Sequence, residues 1–531
     1  MSNEQANFSN SSSGSLDDKE AAQLSSDMPP PSLSCCKRLW DYRGVPAAKG
    51  YALLAMGRGV SVMGNIVLNA ALLELAQRAA GCPTGEELRA IKEATATTGG
   101  EESYECTNKI YGQNPLALIS NIAVITGLLS AFFMPFIGVI LDFTSYRRFI
   151  GMGFSVVFTL IQIIQISIGP KTWFAMAILQ SIGGFCFAGM IMTSLAYLPE
   201  ICEVVGQEKH SKYTARFTAK QFTVQALFLI LVGGLSFAFG ISDNSTLTAR
   251  MAQGFNAFFI SILFGVGWHY YMPSRPASRS LPGGLRSCTS VVVYGLKQNI
   301  RTAKSIFHQY KKGLLWFLVA EVFAQSSVGA LTTLSVVYLS DVVGLNATDV
   351  SLFFLVVLMG TIPGARLAPV VTKRFNPNVA WQMSMVCLFI TIVIGAFTLG
   401  STPNKYFSLI WGFFVGFVLG WFYPTENLFF SCVLPKGSEA EIAGFRVISS
   451  MILSWLPPLL FSLMVSNGID PKWGMTAMAS FVIFAASLLA VGTGKWEDIL
   501  LESGRSEVQD VEINMAQEDV EIPNVQEEMK V

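Results

Sequence analysis

Apolar residues run almost unbroken between Tyr51 and Thr493, cut at intervals by short clusters of charge, proline and glycine. A helix of roughly 20 apolar residues crosses about 30 Å of hydrocarbon, so each uninterrupted run predicts one membrane-spanning helix. Twelve such spans are predicted, at 51–77, 114–141, 149–169, 172–198, 218–240, 251–272, 314–340, 349–372, 377–400, 405–431, 443–466 and 474–493. Only Pro170 and Lys171 separate the third span from the fourth, which makes those two a tight hairpin. The expected fold class is all-α: a polytopic membrane protein of twelve transmembrane helices in two pseudo-symmetric six-helix bundles.

An even number of spans returns both termini to one side, and the Lys/Arg bias of short loops names the side. Sixteen basic residues lie in the terminus-side short loops, against Lys171, Arg250, Lys405 and Lys472 opposite. Both termini are therefore expected in the cytosol. Residues 1–50, rich in Ser, Asn and Asp, read as a disordered cytosolic tail. The first apolar run begins too late for a cleavable signal peptide. Residues 51–272 form the first bundle and 314–493 the second. Between them, 273–313 is a cytosolic linker with eight basic residues and no acid. Its 291–310 part mixes apolar and basic residues in a manner compatible with a surface helix on an anionic leaflet, although a solvated linker has the same charge. Residues 494–531 form an acidic disordered tail.

Composition narrows the function classes. Of the 531 residues 52% are hydrophobic and 14% charged, whereas soluble domains average about 25% charged. Such a composition argues against several soluble globular domains, and with them against a soluble enzyme. Thirty-six Lys+Arg balance thirty-six Asp+Glu, so net charge does not point to nucleic acid. Three His and nine Cys, with no CxxC or HExxH spacing, predict no metal and no cofactor. No Walker A pattern is present, which argues against ATP-driven pumping.

The two halves echo each other. Gly138, Asp142, Arg147 and Arg148 end the second span, and Gly364, Lys373 and Arg374 end the eighth with the same glycine-to-basic spacing. Ser194-Leu-Ala-Tyr-Leu198-Pro199 after the fourth span recurs as Ser431-Cys-Val-Leu434-Pro435 after the tenth. Parallel repeats of this kind are the design of many secondary transporters. The first echo resembles the loop 2–3 signature of the major facilitator superfamily, with Ser145 where that signature usually has Gly. Ala196-Tyr197-Leu198-Pro199-Glu200 is similar to the end of helix four in the autophagy-related vacuolar amino-acid effluxer family. So is the stretch from Pro435 through Glu441, Phe445 and Arg446 to Trp455-Leu-Pro-Pro-Leu-Leu-Phe461. The resemblance implies alternating access, a vacuolar or other endomembrane location rather than the plasma membrane, and a gating role for the seven echo residues Gly138, Asp142, Arg147, Arg148, Gly364, Lys373 and Arg374.

Charges within hydrocarbon cost at least about 2.5–3.5 kcal/mol and normally face a bundle interior. Arg58, Ser61, Asn65 and Asn69 draw one stripe along the first span, Glu321 and Gln325 share a face of the seventh, and Glu426 lies in the tenth beside Pro424. Arg58, Asn65, Asn69, Glu321, Gln325 and Glu426 are the candidate substrate-binding residues. Arg58 and Glu321 each stand eight residues into their predicted spans, so a pair across the two halves is expected. Arg58 would hold a carboxylate, and Glu321 or Glu426 an ammonium group or a coupling proton. Glu74 and Arg446, near span ends, read as snorkelling residues. Arg446, Ser450 and Ser454 share one face ahead of Pro457-Pro458, which should kink the eleventh span. Cys82 and Cys106 share the long 78–113 loop and are candidates for a disulfide on its non-cytosolic face.

The function expected is secondary active transport of a small polar solute, first of all amino acids. A sugar, nucleoside or organic acid as substrate, or a transporter-like receptor or scaffold that moves nothing, are the alternatives. The partners expected are the small-molecule substrate, a coupled proton and membrane lipid, with no nucleic acid, and the chain is expected to be monomeric.

Overall fold

Pro46, missing the N–H that a first helical turn leaves unbonded anyway, opens α1 (Pro46–Ala79), five residues ahead of the first predicted span. In the computed structural model the described residues are 45–84, 108–112, 114–198, 207–274, 288–401, 405–435 and 439–503, with Tyr42, Glu87, Ile201 and Val204. Most of the expected tails, most of the long loop and 275–287 of the linker lie outside them; residues 46–50 of the first tail instead open α1, and 496–503 of the second form a helix. The other helices of the first half are α2 (Pro115–Phe143), α3 (Arg147–Gln165), α4 (Trp173–Leu195), α5 (Gln207–Ala238) and α6 (Ser245–Val266), whose end widens into a π turn, Gly267–Tyr271. The linker supplies α7 (Cys288–Gln309). The second half holds α8 (Leu314–Tyr338), α9 (Ala347–Ser401), α10 (Lys405–Val433), α11 (Glu439–Ile452), α12 (Leu456–Ser466) and α13 (Pro471–Gly492), followed by a short α14 (Trp496–Ser503).

Among the described residues, eleven helices are long and apolar enough to cross a membrane. One of them, α9, contains the eighth and ninth predicted spans. It breaks at Asn376, whose φ of 64° and ψ of 159° leave the helical region. Asn376 precedes a proline, which already disfavours helical backbone there, and its side chain accepts from the Val379 N–H at 3.0 Å to cap the second arm. The two arms restore the twelve expected crossings. The eleventh span is also interrupted, between α11 and α12, because Pro457 and Pro458 fall at the start of α12 and cannot donate to the turn before. Asn244 and Asn346, each followed two residues on by Thr, cap α6 and α9 through their side-chain oxygens.

Within the first half, α1 packs on α5 and α6, and α3 on α4; within the second, α9 packs on α10 and α13, and α8 on α13. The halves meet where α2 lies along α11 and α12, where α5 lies along α9, and where α1 touches α8. On the side opposite the termini, the Ala347 N–H donates to Ser245 Oγ at 3.1 Å and the Thr348 hydroxyl to the Ser242 carbonyl at 2.9 Å. Deeper on the same seam, Ser462 donates to Asn121 at 2.7 Å. These bonds tie the halves together at that end.

The tightest packing is between the first arm of α9 and α10. A Cβ on Gly364 would strike the Phe417 carbonyl, and one on Gly416 the Val357 carbonyl. Gly360 and Gly364, four apart, face Gly416 and Gly420, also four apart, so the two backbones approach as small residues at this spacing permit.

Candidate functional site

Three charged side chains meet at one depth in the second half. Glu321 stands seven residues past the start of α8, Arg446 seven past the start of α11, and Glu426 seven before the end of α10. At 1.5 Å per residue each lies about 10 Å inside its helix from the terminus side. Arg446 Nε donates to Glu321 Oε1 at 2.6 Å and Nη2 to Glu426 Oε1 at 3.0 Å. Its Nη1 donates to Asn427 Oδ1 at 3.1 Å, and Gln325 Nε2 donates to Glu426 Oε1 at 2.6 Å. The guanidinium lies over the rings of Phe430 and Phe317, at 4.5 and 5.5 Å from their centroids. Both carboxylates are 1% exposed. Glu321 Oε2 is buried and has no hydrogen-bond partner.

Arg446 therefore does not snorkel. A span beginning at residue 443 places it at the rim, whereas α11 starts at Glu439 and carries it inward. Its stripe with Ser450 and Ser454 was the available signal. The expected pair of Arg58 with Glu321 is likewise corrected: Glu321 is taken by Arg446 within its own half. Arg58 Nη1 instead donates to Ser194 Oγ at 2.9 Å and Nη2 to the Tyr51 hydroxyl at 3.2 Å, with the Tyr51 ring 5.0 Å beneath the guanidinium. Ser194 is one residue from the terminus-side end of α4, so Arg58 lies near that end although α1 began five residues earlier. It is 7% exposed, and its Nε is buried without a partner. Glu74, the other residue read as snorkelling, pairs with Arg78 one turn on, at 2.5 Å.

The remaining first-half candidates divide. Asn69 Oδ1 accepts from Gln180 at 3.4 Å, and Gln180 in turn accepts from Gln165 at 2.9 Å. A second amide set, Gln253, Asn256 and Gln162, bonds α6 to α3 and, through the Gly64 carbonyl, to α1. These amides hold helices to one another. Asn65 differs: its Oδ1 is buried with no partner.

The echo residues occupy unequal settings. Arg147 Nη1 donates to the Ala196 carbonyl at 3.1 Å at the end of α4. Arg148 donates to the Trp268 and His269 carbonyls, at 3.1 and 2.7 Å, at the end of α6. Cations at the C-terminal ends of helices complement the exposed carbonyls and the dipole. Lys373 and Arg374 are exposed, Arg374 lying 5.5 Å from the Phe375 ring. Gly138 abuts the end of the Met192 side chain and Gly364 the backbone of α10. The Asp142 side chain lies outside the described residues. Cys82 is disulfide-bonded, and Cys106 lies outside the described residues. Among the described residues no cluster of His, Cys, Asp and Glu suited to a metal occurs.

A family model described as "Vacuole effluxer Atg22 like" matches residues 49–493. Autophagy-related protein 22 of Botryotinia fuckeliana (strain B05.10) is 22% identical over 229 residues, covering 40% of this chain and 38% of the relative. Autophagy-related protein 22-1 of Sclerotinia sclerotiorum (strain ATCC 18683 / 1980 / Ss-1) is 21% identical over the same length. The match thus spans well under half of each relative. Among solved structures, the E. coli xylose transporter XylE in an inward-open conformation has a TM-score of 0.54 at 13% identity, covering 86% of this chain and 97% of that one. A mutant of the nucleoside transporter NupG has a TM-score of 0.51 at 10% identity, covering 83% and 100%. The fold is the one seen in these sugar and nucleoside transporters, and this multi-pass membrane protein belongs to the Atg22-like vacuole effluxer family.

Proposed function

We propose that the protein is a secondary active transporter of amino acids, working by alternating access between its two halves. One observation carries the reading. Each half buries an unbalanced charge, and the signs are opposite. Arg58 is bonded to neutral hydroxyls and keeps an unpartnered Nε. The Glu321–Arg446–Glu426 cluster has two carboxyl groups to one guanidinium and keeps an unpartnered Glu321 Oε2. A zwitterion complements both: its carboxylate matches the planar fork of Arg58, and its ammonium completes the charge of the acid cluster. In the absence of solute a proton serves the same purpose at the cluster, which supplies a route to proton coupling. Ligand binding would then favour the closed state by its differential contacts with the two halves.

The family description supports a vacuolar or other endomembrane site and efflux of the solute. The Lys/Arg bias supports a cytosolic terminus side, so that gating by the ends of α2, α4 and α6 would act from the cytosol. The chain is read as monomeric.

The deciding experiment is flux in proteoliposomes with and without a pH gradient, using amino acids, a pentose, a nucleoside and an organic acid in parallel. Amino-acid flux that Arg58→Gln and Glu321→Gln each abolish is the expected result. Flux of another solute class alone would replace the substrate reading. No flux of any solute from folded protein would favour a receptor or scaffold.

A further inference from the structure

α7 is bound on one side and bare on the other. Its inner side carries Tyr294, Gly295, Thr302 and Ile306. The Tyr294 ring packs 5.6 Å from Phe143, at the terminus-side end of α2, and Gly295 sits so close to Val139 that a Cβ would collide with it. Thr302 and Ile306 are buried, at 9% and 3% exposure. Successive helical residues turn by about 100°, which places Val293, Lys297, Ile300, Lys304 and Phe307 together on the opposite side. These five follow one another at steps of four, three, four and three, alternating apolar and basic. Val293, Ile300 and Phe307 are 49%, 57% and 55% exposed, large apolar side chains standing in the open on a helix that carries Lys297, Arg301 and Lys304. Lys311 continues the series beyond the helix end, its ammonium 5.7 Å from the Phe307 ring.

We propose that this outer face is a lipid-binding surface that seats α7 on the anionic leaflet at the terminus side. The chemistry fits one occupant. An apolar row cannot settle in water, and its neighbouring ammonium groups cannot settle in hydrocarbon; the headgroup–acyl boundary takes both, with the lysine stems reaching back to the headgroups. No acid interrupts the stretch from 273 to 313, so nothing on the linker opposes a negative surface. Position agrees as well, because α7 rests on the last turns of α2, where that helix leaves the membrane. The inner face is committed to α2, which leaves the outer face for the leaflet. The inference rests on the span topology and not on the identity of the solute.

The test uses the full-length protein in nanodiscs of phosphatidylcholine alone or with phosphatidylserine, carrying a photo-crosslinking phenylalanine analogue at Ile300, Phe307 or, on the inner side, Gln298. Lipid adducts are expected at 300 and 307 and not at 298. They should fall at least about fivefold when phosphatidylserine is omitted, when salt is raised, or in K297E/K304E. Adducts to a second protein chain, adducts equal on both faces, or adducts indifferent to lipid charge would each overturn the proposal. Since no step reads transport, failure here leaves the amino-acid reading standing, and failure of flux leaves this one.

Discussion

The two halves carry echoing sequence motifs but bury charge differently. In the first half a lone guanidinium is housed by hydroxyls and an aromatic ring: Ser194, Tyr51 and nothing ionic. In the second, a guanidinium is shared between two carboxylates drawn from two other helices, with an amide on each side and two phenyl rings above. The first arrangement bonds α1 to α4 at the cost of an unneutralised charge. The second bonds α8, α10 and α11 into one unit, and removing any member leaves the others stranded. Buried ion clusters are weak sources of net stability but expensive to break. The residues placed at the buried polar positions thus decide whether a half is rigidly cross-linked or left with spare bonding capacity.

The contrast can be broken most forcefully at Arg446. Arg446→Gln leaves two fully buried carboxylates without their cation and should lower stability by about 3–5 kcal/mol, read as an early melt in detergent. Adding Glu321→Gln should restore part of the loss. A native-like melt in the single variant would mean the cluster is not a unit. Arg58→Gln should be gentler, about 1.5–3 kcal/mol for hydrogen bonds from a charged donor. A loss as large as that of Arg446→Gln would erase the distinction between the halves.

The paired glycines sharpen the comparison by sterics alone. Gly364→Val presses a branched side chain onto the Phe417 backbone and should cost about 1–3 kcal/mol. Gly138→Val presses on the end of Met192, which can swing aside, with Ile448 at ordinary contact distance, and should melt measurably later than Gly364→Val. The smallest effect separates the basic pairs. Arg148→Ala gives up two carbonyl contacts at the end of α6 and should cost about 1 kcal/mol. Arg374→Ala, at an exposed position, should fall within about 0.5 kcal/mol of the parent in the same melting assay.

Hydropathy made the spans legible because hydrocarbon leaves the backbone no choice but helix, and because the loops carry the charge. The Asn376-Pro377 break was visible as the seam between the eighth and ninth spans, and the Pro457-Pro458 interruption as a kink. Depth was less legible. Arg446 sits deeper than a span beginning at 443 predicts, because α11 starts four residues earlier and residues 439–442 are too mixed to register as membrane sequence, whereas Arg58 lies nearer the terminus-side end than its place in the run suggests. A shift of that size is more than a helical turn, enough to exchange partners. Glu321 and Glu426 were found as buried acids, but which cation they share depends on how three helices rotate about their axes, and no single helix encodes that. The Gly360, Gly364, Gly416 and Gly420 spacing is a sequence signal for a close helix contact, whereas the echo alone singles out only Gly364.

The interruption between α11 and α12 has a mechanical consequence. Pro458 offers no N–H to the Ser454 carbonyl, so the backbone ladder is cut at the level where Trp455 presses on Gly127 of α2. A helix with a severed ladder bends there at little expense. The segment beyond the cut is pinned to α2 by Ser462 and Asn121, whereas the segment before it carries Arg446. The eleventh span is therefore jointed like a forearm at an elbow: torque applied at the acid cluster acts across this joint, beyond which the outer segment is held to the other half by a hydrogen bond, while the inner one meets it through apolar contacts of Ile448 and Met451.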